Sequence, residues 1–407
     1  MQPDVLVVGG GIIGTTTAAY LARGGASVTL VERAELASGP SGRSLGLVSG
    51  PHPPELRSIA ERSLQAYLAL ARETGAFTID GNNVGCLCIS PDERGLPRGE
   101  GEQLDGDQVA EAEPLLAVRC AAGVLIPARH VDPGGAVAAW AEEARRHGAR
   151  IRVGCPVRSL LDDGGRVAGA ATDEGSMFAG CVVLATGWQT PRLAAGLGID
   201  VPVRGVRGWI VTTRPAPFRL RRPLNEVDFS GGVAAATLLT LGDIAAGNVG
   251  TPIVAAQMRQ DAAGRLVLGA SLAPAMGDAD DDGAHAVSSI CRRAIELIPP
   301  IAEVPIAETR TCVRPVSFDG LPLHGPVDGL DGLLLACGHG SHGLTWGPGC
   351  GEAVARGVLE GEWDPALLPV RLERKASAKA ARFVPTDSAL RIRSSRRRGG
   401  GGNQQGT

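Results

Sequence analysis

The apolar positions of this chain fall into short unbroken runs that end in glycine. Val5–Val8 is the first, and Gly9, Gly10 and Gly11 follow at once. A run of four without alternation is the pattern of a parallel strand buried on both faces. Ile12, Ala18, Ala19 and Leu21 then recur at helical spacing up to Gly24 and Gly25, which would end the helix. A second strand is expected over Ser27–Val31, with Glu32 directly behind it. The strand-to-glycine junction returns at Cys181–Gly187 (CVVLATG) and at Gly332–Gly343 (GLLLACGHGSHG). A helix is expected behind the last of these, beginning near Gly347. In an open parallel sheet such junctions lie at the carboxyl ends of the strands, where ligands bind.

Between these landmarks the pattern is less regular. Pro133 sits where a helix would open, and Gly148 where it would close. Arg150–Leu161 reads as one strand. GWIVTT from Gly208 and GRLVLGAS from Gly264 also have strand character. The stretch RTCVRPVSFDGLPLHGP, Arg310–Pro326, is broken by Pro315, Pro322 and Pro326 and cannot be a helix. The Ala- and Gly-rich region 231–250 fits no element.

The first junction carries recognisable chemistry. Gly9, Gly11 and Gly14 have GxGxxG spacing between a strand and a helix. Gly9 permits the tight turn, Gly11 lets backbone approach a pyrophosphate, and Gly14 lets helix and strand pack closely. The helix start at Ile12 and Ile13 offers free N–H groups and a positive dipole end to phosphate. Glu32, at the end of the next strand, is placed to accept from a ribose diol; an acid there argues against a 2′-phosphate and so against NADP. The next segment is not another βα unit but a loop of small residues, ASGPSGRSLGLVSG at Ala37–Gly50. Such a loop lets amides pass close to a flat or phosphorylated ligand.

Composition narrows the class. The 407 residues, 44% of them hydrophobic, suffice for two domains of ordinary size. A net charge of −3 gives no global attraction for nucleic acid. No run approaches the length of a transmembrane helix, and no signal-peptide pattern opens the chain; the expected compartment is the cytoplasm. The end, RIRSSRRRGGGGNQQGT, cannot bury a core and is expected to be disordered; contact with a membrane surface or nucleic acid is the alternative to a solvated tail. The nine cysteines include no CxxC pair, so reduced core thiols are expected and no metal site. No HExxH is present. The only lysines are Lys375 and Lys379.

Taken together, GGGIIG with Glu32, SGRSLGL, HVDP at His130–Pro133, LATG, VRPVSFDGLPLHG and GHGSHG resemble the FAD-dependent D-amino-acid oxidase superfamily, in the branch of glycine oxidase, sarcosine oxidase and D-amino-acid dehydrogenase. The resemblance runs from about Val5 to Gly361. It implies an α/β fold in which a Rossmann-like FAD-binding domain (1–76, 131–203 and 308–370) is interleaved with a mainly antiparallel α+β substrate domain (77–130 and 204–307), followed by a tail, 371–407. It implies FAD held by Gly9, Gly11, Ile12, Ile13, Gly14, Glu32 and Arg33. Further cofactor contacts would be Ser41, Gly42, Arg43, Gly46 and Leu47, Val157 near the adenine, and Ala185, Thr186 and Gly187. Gly338, Gly340, Ser341, Gly343 and Leu344 would complete the set.

The implied reaction is oxidation of the C–N bond of a small amino acid or secondary amine by hydride transfer to flavin N5. Arg314, the arginine of the RP motif, would bind the substrate carboxylate through two parallel charge-assisted bonds; pairing with an internal acid such as Asp319 is the alternative. His342 would line the pocket, with Trp209 and Trp346. Thr311-Cys312 matches the pair that carries a flavin thioether in sarcosine oxidases, so covalent FAD through Cys312 stands beside a space-filling thiol. Sarcosine oxidase-like enzymes also carry a lysine near N5, absent here before Lys375. The electron acceptor is therefore open between oxygen, a quinone and a partner subunit. An FAD-carrying subunit of a multi-subunit amine dehydrogenase is the second functional reading. An NAD-dependent dehydrogenase is disfavoured by the three separate glycine junctions.

Overall fold

The structure, a computed structural model, describes residues 2–79, 85–90, 96, 101–226, 253–275 and 283–374. Region 231–250 and the end of the tail lie outside the described residues. A six-stranded sheet runs in the order Leu323–Val327, Leu330–Cys337, Cys181–Leu184, Val5–Val8, Val28–Val31, Arg150–Arg152. Its neighbours are parallel except at the edge hairpin, Leu323–Val327 with Leu330–Cys337. The unbroken apolar runs have a simple cause. Val5 and Val7 face a core built with the helices Ile12–Arg23, Arg57–Thr74, Pro133–Arg146 and Gly343–Glu360. Leu6 and Val8 face a second core with Leu160, Val167 and Leu193, under a three-stranded sheet (Val157–Asp162, Val167–Thr172, Gly175–Phe178). With both faces covered, the central strand Val5–Val8 has no position that alternates to polar.

Two helices pack unusually close. A Cβ on Gly351 would stand 2.5 Å from Thr16 Oγ1 and 2.9 Å from Thr17 N. The glycine lets Gly343–Glu360 lie against Ile12–Arg23, and the N-termini of both face one cavity. The buried threonines at the contact are satisfied internally: Thr16 donates to Ile12 O (2.7 Å) and Thr17 to Ile13 O (2.7 Å).

The second large sheet has eight strands, in the order Ile306–Ser317, Val203–Pro215, Arg265–Pro274, Ile253–Gln260, Leu224–Glu226, Cys86–Ser90, Ala122–Ile126, Glu102–Asp105. All its pairs are antiparallel except Leu224–Glu226 with Cys86–Ser90. One face packs Leu87, Val211, Leu224, Met258 and Leu268 with Ile290, Ala294 and Leu297 of the helix Ala284–Leu297. The buried Glu226 accepts from Arg293 Nε of that helix (3.0 Å to each oxygen).

Three expectations are refined. Arg150–Leu161 is two strands, not one: Gly154, at φ +65°, and Pro156 break it, and the halves join different sheets. The last long helix starts at Gly343 rather than near Gly347. The Arg310 stretch enters as part of Ile306–Ser317, which pairs with Val203–Pro215 along almost its whole length. The boundary expected at 308 thus falls inside a strand of the eight-stranded sheet. Pro315 is tolerated because this is the edge strand.

Candidate active site

A cavity of about 1060 Å³ runs between the carboxyl ends of the parallel sheet and the open face of the eight-stranded sheet. One end is made by the first glycine junction. Gly9 has φ +117°, and a Cβ there would stand 2.4 Å from Ala185 O. Gly14 does what its place in the motif requires: its Cβ would meet Gly9 O at 1.9 Å. The Ile12 amide, the first of the helix, donates to Ser41 Oγ (3.0 Å). Glu32 accepts from Gly10 N (2.6 Å) and Ala34 N (3.0 Å), so its carboxylate shapes the turn and still has lone pairs facing the cavity.

The second helix start enters from the other side. Gly343, Leu344, Thr345 and Trp346 line the cavity. Trp346 N is the first amide of the turn to find a helical acceptor, His342 O (3.0 Å), so the earlier amides have no acceptor within the helix. His342 stacks on Trp346, centroids 4.5 Å apart at 19°. His342 Nδ1 and Trp346 Nε1 are both buried without a hydrogen-bond partner. Burial pushes the His342 pKa down to about 4, with His52 adding to it, so the ring is neutral near pH 7. Behind it His339, held near 3 chiefly by burial, shares an Nε2–Nε2 hydrogen bond of 2.8 Å with the buried His324.

Arg314 reaches the cavity from the edge strand. Its side chain lies over Gly208, where a Cβ would stand 1.9 Å from Nη1. Nη1 donates to Ser271 O (3.1 Å), and the residue is 8% exposed. No carboxylate pairs with it among the described residues. Asp319 belongs instead to Arg374, through Nε (2.8 Å) and Nη2 (2.9 Å). Cys312 lines the cavity two residues from Arg314, as a free, half-buried thiol.

Of the expected site residues, Gly9, Gly11, Ile12, Ile13, Glu32, Arg33, Ser41, Gly46, Leu47, Val157, Ala185, Thr186, Gly187, Cys312, Arg314, Gly340, Ser341, His342, Gly343 and Leu344 line this one cavity. Gly14, Gly42, Arg43 and Gly338 do not. Gly42 packs against Ala37 O, and Gly338 turns at φ +78° beneath the loop. Arg43 is exposed and donates to Thr311 O (3.1 Å) on the outer side of the edge strand. Trp209 lines a separate shallow pocket with Arg43. His52, Trp188, Gln189, Asn225 and Gln257 also face the cavity and had no motif to announce them.

A parallel sheet whose carboxyl edge opens into one long cavity, with two helix N-termini aimed into it, is the site of a dinucleotide-dependent enzyme. The chain belongs to the DAO family of FAD-dependent oxidoreductases, whose model matches residues 4–356. It is similar to glycine oxidase of Pseudomonas aeruginosa, 29% identical over 365 residues that span 86% of this chain and 92% of that protein. It is similar also to the mitochondrial sarcosine dehydrogenase of Homo sapiens, 27% identical over 88% of this chain but only 40% of the larger relative. Among solved structures, glycine oxidase from Bacillus cereus superposes with a TM-score of 0.74 at 24% identity, covering 91% of this chain and 98% of that one. L-proline dehydrogenase from P. horikoshii gives 0.76 at 20% identity, covering 93% and 98%.

The residues present fit FAD. The glycines at 9 and 11 leave backbone bare beside the first helix start. The unpartnered His342 and Trp346 nitrogens and the open amides at Gly343 offer hydrogen bonds at the other end. No helix among the described residues is long and apolar enough to cross a membrane.

Proposed function

We propose that this chain oxidises the C–N bond of a small amino acid or secondary amine bearing a carboxylate. The observation that carries the reading is Arg314, a buried guanidinium facing the cavity with no carboxylate paired to it among the described residues. A buried cation needs a counter-charge, and a substrate carboxylate supplies it in bidentate geometry. When bound, FAD would supply the two-electron acceptor for oxidation at the carbon that bears the amine. The chain's own residues do the rest. Arg314 fixes the acid end. The neutral His342 ring accepts a hydrogen bond from the amino group and so orients its lone pair. The cavity walls exclude water until the imine leaves and is hydrolysed.

The relatives' names support this substrate range: glycine oxidase, sarcosine dehydrogenase and dimethylglycine dehydrogenase. Within this reading, segments 1–76, 131–203 and 308–370 serve the cofactor and 77–130 and 204–307 serve the substrate. A second reading, an FAD-carrying subunit that needs a partner for turnover, draws support from similarity to sarcosine oxidase subunit beta of Arthrobacter, 24% identical. The absence of any lysine before Lys375 leaves a quinone or partner subunit as acceptor beside oxygen. The test is Arg314→Ala in the FAD-loaded protein. Loss of one partner of a buried charge pair costs ~2–5 kcal/mol, a roughly 30- to 5000-fold fall in substrate affinity. The flavin spectrum should be unchanged. Undiminished turnover at low substrate would overturn the assignment.

A further inference from the structure

The eight-stranded sheet presents two unlike faces. The face against the helix Ala284–Leu297 is mainly apolar, with Leu87, Leu224, Met258 and Leu268 in a row and Glu226 paired to Arg293 of the helix. The opposite face forms the cavity wall. There Asn225 pairs across the strands with Gln257 on one side and with Cys88 on the other. Directly paired residues project to the same face with Cβ atoms about 5 Å apart, so the two carboxamides stand side by side. Neither is spent on the protein. Asn225 Oδ1 is buried without a partner, and Nδ2 has only the Cys88 thiol at 4.0 Å. The Gln257 side chain makes no hydrogen bond among the described residues, though both residues line the cavity. Their neighbours on this wall, Cys86, Ile126 and Ile210, are uncharged and of low polarity.

The same strands connect this pair to the anchor. Gln257 lies opposite Gly269, and Ser271, two residues further on that strand, accepts the bond from Arg314. Two residues along and one strand across is about 8 Å. Gly269 between them has no side chain of its own, and Leu45 and Ile210 flank the path, a Cβ at Gly269 lying 3.3 Å from Leu45 Cδ1.

We propose that Asn225 and Gln257 form a subsite for the substrate's side chain. The substrate is then an amino acid larger than glycine whose side chain ends in a neutral polar group, a carboxamide or hydroxyl. The inference rests on Arg314 as the carboxylate anchor. Glycine cannot reach the pair. An apolar side chain would leave two half-buried carboxamides facing it unsatisfied, one of them with a buried oxygen. A cationic one would meet no carboxylate on this wall among the described residues, where the buried charges are those of Arg314 and of Arg259, two residues from Gln257 on the same face and donating to Leu45 O. Two carboxamides offer donors and acceptors together, which matches a group that needs both.

The experiment is anaerobic flavin bleaching in the FAD-loaded protein, with both enantiomers of glutamine, asparagine, serine, norleucine and glutamate, with glycine, and with amines lacking a carboxylate. Glutamine, asparagine or serine should exceed norleucine, glutamate and glycine at least tenfold in kcat/KM. Asn225→Leu and Gln257→Met, near-isosteric and apolar, should erase that preference while norleucine turnover holds or rises. Asn225→Asp should shift preference towards a cationic side chain such as lysine, and it reports even where the apolar variants lose FAD. Equal or better bleaching by norleucine or glycine in the unmodified protein overturns the subsite but leaves Arg314 standing. Bleaching only by amines without a carboxylate overturns the anchor and the subsite together.

Discussion

Single atoms decide the substrate end of the site. Arg314 can cross the sheet to Ser271 only because position 208 carries no Cβ. Gly208→Ala would put a methyl 1.9 Å from Nη1, and the flexible end of the arginine would give way. The Ser271 carbonyl, 2.8 Å from the same Cβ, would have to shift as well. We expect KM to rise about tenfold or more, equivalent to ~1.4 kcal/mol, with a modest loss of thermal stability and FAD content near that of the unmodified protein. Steady-state kinetics beside a melting curve check this; a large loss of stability with unchanged KM would show that the glycine serves packing instead. Arg314 itself was legible because VRPVSFDG is a recognisable motif. Gly208 was not, since its role appears only where two strands pair, Gly208 opposite Cys312. Asn225 and Gln257 were hidden for the same reason: nothing local marks them, and their meaning lies in the register of three strands.

At the level of elements, the cofactor end depends on two helices brought together by missing side chains. Gly351→Ala would drive a Cβ to 2.5 Å from Thr16 Oγ1 and 2.9 Å from backbone at Thr17. Overpacking of this kind costs ~1–3 kcal/mol, and here it would also splay the two helix starts that face the cavity. Lower stability and weaker FAD retention are therefore expected together, read by melting temperature and by the ratio of flavin to protein absorbance. Gly134→Ala is the control. It lies in the helix Pro133–Arg146 with only Asp132 Oδ1 nearby, at 4.0 Å, so alanine should be neutral or stabilising by ~0.5–1 kcal/mol. The first helix was legible from its glycines and its apolar period, which are local signals. The break at Gly154 was not, because Arg150–Leu161 keeps a strand-like composition across it and only the choice between two sheets separates the halves.

Across the whole molecule, burial of histidine ties stability to pH. His339 is held near 3, and His342 and His130 near 4, each mainly by burial; His324 is pushed well below its usual value by the same cause. The unfolded chain would titrate these rings near 6.5. Above 6.5 both states are neutral and the folded state keeps its full stability. As pH falls from 6.5, the unfolded chain gains protons that the folded chain refuses, so stability drops until the folded values near 4 and 3 are passed. Each such ring contributes a slope of about 1.4 kcal/mol per pH unit in that window. The carboxylates act lower: Asp261 and Asp364 have pKa values depressed by backbone and arginine hydrogen bonds that outweigh their burial, and lose their contribution only as pH falls below about 3.8. Urea titrations of the FAD-loaded protein should therefore show a fall in stability between pH 6.5 and 4 that precedes ordinary acid unfolding. His342→Gln should remove one ring's share of that slope, and a flat profile over the same range would mean the rings admit protons in the folded state. The same burial that makes the molecule acid-sensitive keeps His342 neutral in the cavity that Arg314 also lines, where a charged ring would compete for the substrate's carboxylate and could not accept from its amine.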